Sequence, residues 1–111
     1  MAGISTHILN ASLGKPAAGV FVELFKQTSQ GDVSVDKQLT DADGRIKAFA
    51  IDSFTPGNYQ LIFYIADYFQ SIEVESFYPR VCIDFKVSEI QQHYHVPLLI
   101  SPFSYSTYRG S

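Results

Sequence analysis

The chain has 111 residues, 46% of them hydrophobic and 17% charged, with nine Phe and seven Tyr. That much apolar surface offsets chain entropy and excludes wholesale disorder, and the length suits one domain, residues 1–111, with no room for a second. Eight Lys and Arg against eleven Asp and Glu give a formal net charge of -3, the wrong sign for a protein that neutralises phosphates, so nucleic acid is not an expected partner.

In chain order, short runs rich in Val, Ile, Phe and Tyr recur between turn signals, the spacing of strands in a sandwich or barrel. They cover 4–10, 19–26, 44–50, 58–66, 80–87, 93–100 and 105–109. The punctuation is chemically specific. Leu13-Gly14-Lys15-Pro16, Asp41-Ala42-Asp43-Gly44 and Thr55-Pro56-Gly57-Asn58 supply residues that tolerate turn dihedrals. Val20, Val22 and Leu24 set against Glu23 and Lys26, and Val81, Ile83, Phe85 and Val87 against Asp84 and Lys86, predict strands with one buried face. Residues 66–75 break this period, and Tyr68, Phe69 and Ile72 at helical spacing predict one short helix there. No repeat or low-complexity tract divides the chain.

The longest apolar stretch, 59–66, is interrupted by Gln60 and falls far short of the ~20 residues of a spanning helix, so no membrane association is expected. Residues 1–7 lack the basic and apolar regions of a signal peptide, which makes a cytoplasmic protein the default expectation. Cys82 is the only cysteine, so no internal disulfide forms, and nothing beside it in sequence marks a reactive thiolate.

The three histidines, His7, His93 and His95, all fall on predicted strands. Because side chains alternate, Ile4, Thr6 and Ile8 form the core face of the first strand, leaving Ser5, His7 and Leu9 on the other. Likewise Tyr94, Val96, Leu98 and Ile100 read as core, with His93, His95, Pro97 and Leu99 opposite. A face carrying Leu9, Pro97 and Leu99 is not dressed for plain solvent, which points to a second subunit or a ligand there. The alternative is that these are surface histidines with no task. A metal held by His93, His95 and His7 is geometrically conceivable, but no carboxylate sits at a spacing that would complete its shell, and none is expected. The acidic turn before Arg45 lacks the bidentate glutamate that closes a calcium loop, so it reads as an ordinary turn. Arg45 itself is either a solvated cation or a fixed donor for a developing oxyanion. There is no Gly-x-Ser-x-Gly elbow and no phosphate-binding glycine loop.

Beyond spacing, the segments Ser5-Thr6-His7-Ile8-Leu9-Asn10, Gly14-Lys15-Pro16-Ala17, Thr40-Asp41-Ala42-Asp43-Gly44-Arg45, His93-Tyr94-His95-Val96-Pro97-Leu98-Leu99 and the closing Tyr108-Arg109-Gly110-Ser111 carry a resemblance. Together they resemble the 5-hydroxyisourate hydrolases, the enzyme branch of the transthyretin-like family, over essentially the whole chain. The resemblance implies an all-β, two-sheet sandwich of about eight strands with one short helix. It also implies a homotetramer, a dimer of dimers, with active sites in the channel between dimers. The implied reaction is metal-free and cofactor-free hydrolysis of a cyclic amide in a purine-derived substrate, within urate breakdown.

Carried over by position, the implied catalytic residues are His7, Arg45, His95 and Ser111. Those implied to bind substrate are His7, Arg45, Tyr108, Arg109 and Gly110, with His93 in a supporting role. Family members also occur in the periplasm and the peroxisome. The rival class is a noncatalytic carrier like the hormone-binding transthyretins, against which stands the desolvation cost of two imidazoles and a guanidinium in a channel for an apolar ligand. A third reading, a structural sandwich module, needs no histidines.

Overall fold

A computed structural model describes residues 2–111. The elements are β1 (Gly3–Asn10), β2 (Lys15–Pro16), β3 (Phe21–Thr28), β4 (Gly31–Leu39), β5 (Arg45–Ile46), β6 (Gly57–Tyr64), α1 (Ile65–Ser71), β7 (Val81–Val87), β8 (His93–Ser101) and β9 (Ser104–Thr107). One sheet runs β2-β1-β8-β9 with β5 also on β1, and the other runs β4-β3-β6-β7. The two-sheet sandwich with one short helix is therefore the observed architecture.

Between the sheets, Ile4 and Ile8 of β1 meet Val22 and Leu24 of β3, Leu61 and Phe63 of β6, and Leu98 and Ile100 of β8, all fully buried. These are the even positions of β1, β3 and β8 and the odd positions of β6, so each strand turns one apolar row inward. In α1 the buried residues are Ile65, Tyr68 and Phe69. Ile72 lies just past the helix end and is exposed, so it does not extend the apolar stripe.

Four features differ from the sequence reading. β4 was not expected, because Gly31–Leu39 has no continuous apolar row and is mostly exposed. It is an edge strand whose ladder to β3, with an irregularity at Leu24/Phe25, needs only backbone groups. The strand expected over 44–50 pairs only at Arg45 and Ile46. Beyond it the Ala48 carbonyl accepts from Gln38 Nε2 and the Ala50 amide donates to Asp36 Oδ2, so side chains of β4 stand in for most of the ladder while the Phe49 amide alone still donates to the Ile4 carbonyl. Lys15 and Pro16, expected in a turn, form the short β2 against Leu9 and Asn10. Lys26 lies on the inner side of β3, with its ammonium beside Thr55 and 5.2 Å from the Tyr59 ring centroid.

The Asp41–Gly44 turn delivers β5 to β1. Asp41 Oδ1 accepts from the Asp43 and Arg45 amides at 2.9 Å each, and the Gly44 carbonyl accepts from Ile8 N at 2.8 Å. The Arg45 amide is the main reason the Asp41 carboxyl is held below the usual carboxylate range. Gly44 has φ +74°, and a Cβ there would collide with the Ile8 carbonyl oxygen. Gly44→Ala is therefore expected to lower stability by at least about 1–2 kcal/mol, the cost of left-handed backbone for an L residue. Urea unfolding checks this: an unchanged midpoint would show that the turn relaxes freely.

Candidate active site

β1 and β8 run parallel, Gly3 opposite His93, Ser5 opposite His95 and His7 opposite Pro97. On the other side of β1, Arg45 stands opposite His7. Paired residues share a face, so Arg45, His7 and Pro97 form one row across the outside of the sheet. After β9 the tail stays on β8, where Gly110 pairs with His95 and its amide donates to the His95 carbonyl at 2.9 Å. Ser5, His95 and Gly110 are thus a second row beside the first. The fold brings His7, Arg45, His95 and Gly110 together on one outer face, although four separate stretches of chain supply them.

Gly110 is required by this approach, since a Cβ there would lie 2.6 Å from His95 Cδ2 and 3.1 Å from Pro97 Cγ. The tail also covers Pro97, which is buried rather than open as its alternation suggested. Leu9 and Leu99 are cross-strand partners and only half-buried, so this outer face keeps apolar surface next to the polar cluster.

Alternation puts Ser5 on the outer face, yet it is only 5% exposed. Its Oγ lies 2.7 Å from His93 Nε2 and 2.7 Å from His95 Nδ1, bridging the two imidazoles. Nothing in the spacing announced this bridge, because it depends on the parallel register of two strands about 90 residues apart. Burial, followed by the neighbouring His7, His93 and Arg45, pushes the His95 imidazole below its ordinary value of 6.5. Among the described residues no group of three or more His, Cys, Asp or Glu is placed to hold a metal ion.

The lowered value has a sign for stability. The unfolded chain binds a proton at His95 more readily than the folded one, so this contribution is intact above pH 6.5 and is lost as pH falls from there towards the folded value. The unfolding midpoint is expected to drop on acidification through that window, with a shallower drop in His95→Gln. Parallel pH profiles for the two proteins would assign the effect elsewhere.

Of the other tail residues, Tyr108 is 59% exposed, and both Tyr108 and Arg109 line a cavity of about 340 Å³ shared with Phe85, Lys86, Tyr94 and His95. The Arg109 guanidinium lies 4.5 Å from the Tyr94 ring centroid and donates to Gln92 Oε1 at 2.9 Å. It therefore anchors the tail to the start of β8. Ser111 is exposed, one residue past the Gly110 bridge.

Fold and site together define a transthyretin-type sandwich with an imidazole and guanidinium cluster on its outer sheet face. Residues 4–110 match the model of the HIUase/Transthyretin family, and the chain belongs to that family. It is 44% identical over 115 residues to a Caulobacter vibrioides protein named 5-hydroxyisourate hydrolase, with all of both chains covered. The Klebsiella pneumoniae 5-hydroxyisourate hydrolase structure matches with 38% identity and a TM-score of 0.86, covering 97% of this chain and 98% of that one. Transthyretin from Sparus aurata superposes with a TM-score of 0.92 at 28% identity, covering 99% and 97%. Backbone likeness alone thus does not separate the hydrolases from transthyretin, and the side chains of the outer face must. No helix among the described residues is long and apolar enough to cross a membrane.

Proposed function

We propose that this chain, acting as one unit over residues 1–111, hydrolyses 5-hydroxyisourate to 2-oxo-4-hydroxy-4-carboxy-5-ureidoimidazoline in purine breakdown. The observation that carries this reading is the row of Arg45 opposite His7 beside the Ser5, His95 and Gly110 row, in a chain 44% identical to a hydrolase of that name along its whole length.

Hydrolysis adds water to the amide carbonyl carbon and breaks the ring C–N bond. One imidazole takes a proton from the water as its oxygen bonds to the carbon, then returns it to the departing nitrogen. Such a positioned base contributes about 10²- to 10⁴-fold. The Arg45 guanidinium steadies charge building on the carbonyl oxygen. Tyr108 and Gly110 flank the ring of the substrate, Ser111 closes the pocket, and Arg109 takes part by holding this tail against β8. The half-buried Leu9 and Leu99 beside the cluster support assembly as a dimer of dimers with the sites in the channel between them. Polar groups at this position favour a polar heterocycle over the apolar ligand of a carrier.

The direct test mixes purified protein with freshly generated 5-hydroxyisourate and follows its absorbance. Decay that accelerates in proportion to protein is expected. Decay at the spontaneous rate would overturn the reading and leave the carrier in its place.

A further inference from the structure

The Ser5 hydroxyl bonds two imidazole nitrogens at once but carries a single proton, so at least one of those nitrogens must itself be the donor. His93 decides which. Its Nδ1 is buried and has no hydrogen-bond partner among the described residues, and even a Cβ built on Gly3, opposite His93 on β1, would come no nearer to it than 3.8 Å. A proton on that nitrogen would be an orphaned buried N–H, the costlier and rarer kind of unsatisfied group, whereas a bare lone pair there is tolerated better. The neutral ring of His93 therefore carries its proton on Nε2 and donates to Ser5 Oγ. Ser5 then has its own proton free for one acceptor, His95 Nδ1. With Nδ1 accepting, neutral His95 carries its proton on Nε2, the ring nitrogen that is neither buried nor hydrogen-bonded among the described residues.

We propose that Ser5 and His93 are positioning residues that fix His95 as the Nε2–H tautomer, so that His95 donates a hydrogen bond to the substrate and His7 is the base. This deepens the proposed hydrolysis and rests on it for the roles, though not for the tautomer. His7 then takes the proton of water and returns it to the leaving nitrogen, and no proton leaves His95. Two imidazoles with unlike surroundings have unlike tasks, and the lowered protonation of His95 keeps it a neutral, single donor at that nitrogen.

The test labels the intact protein with ¹⁵N-histidine and reads each ring by long-range ¹H–¹⁵N correlation, His95 being assigned through His95→Gln. Both His93 and His95 are expected as Nε2–H tautomers; an Nδ1–H signal for His95 overturns the proposal without any assay of turnover. Two substitutions then separate positioning from mere filling of space. His93→Glu replaces a donor to Ser5 with an acceptor, which turns the hydroxyl round and forces His95 to protonate Nδ1. It is expected to lower kcat about tenfold or more, the scale of losing the partner that orients a working imidazole, with KM little changed and the His95 signal switched. His93→Gln keeps an N–H for Ser5 and is expected to rescue both the signal and the turnover. A switched tautomer with undiminished kcat would overturn the assigned role. Expected tautomers in a protein that leaves 5-hydroxyisourate untouched would support the bridge and overturn the hydrolytic reading instead.

Discussion

His7→Ala is expected to lower kcat by about 10²- to 10⁴-fold, the contribution of a positioned general base, with the fold intact. The side chain is half-exposed on the outer face of β1, while the inward row of Ile4, Thr6 and Ile8 that holds the strand is untouched. Water remains a poor nucleophile without a group to take its proton, so the loss falls on kcat rather than on binding. Added imidazole should restore part of the rate. His95→Ala is expected to cost at least about tenfold, and because it also strips the Ser5 hydroxyl of a partner, a small loss of stability should accompany it. Turnover within twofold of the parent in either variant, measured as 5-hydroxyisourate decay, would remove that residue from the mechanism.

Arg45→Leu is expected to remove roughly 2.7–4 kcal/mol of transition-state stabilisation, or about 10²- to 10³-fold in kcat, the measured scale for one oxyanion donor. The substitution isolates the guanidinium, because the turn that places residue 45 is built by its backbone amide on Asp41 and by the Gly44 carbonyl on Ile8. Leucine retains the stem and these main-chain bonds. Arg45→Lys keeps the charge without the planar fork and is expected to fall between the two. A full rate in Arg45→Leu, with urea stability unchanged, would make residue 45 a solvated surface cation.

What could be read from the sequence followed the physics of burial. Strands with one clean apolar row, such as Val81 to Val87 and the even positions of β1 and β8, were legible because alternation reports burial directly. β4 was not legible, since an edge strand held by backbone bonds needs no apolar signature. Beyond Ile46 the buried Phe49 reads as strand core, but its amide makes only a single bond to the Ile4 carbonyl, at 3.1 Å, and no ladder continues around it.

His7, Arg45 and His95 were legible as unusual residues and through the resemblance, but not as a cluster. Their convergence depends on register, which no single strand encodes. The Ser5 bridge was hidden for the same reason, although a serine and two histidines at period-two positions were a usable signal once the strands were known to pair in parallel. The guanidinium of Arg109 resting on Tyr94 had no sequence signal at all.

The parallel pairing of β1 with β8 also governs when activity arises. It joins residues 3–10 to residues 93–100, so the strand bearing the proposed base is made first and waits for about ninety further residues before its neighbour exists. Contacts this distant along a chain form late and slowly. Nascent chains are thus catalytically silent until β8 and the stretch that follows it are free to dock, and refolding should regain turnover only after bulk strand content has returned.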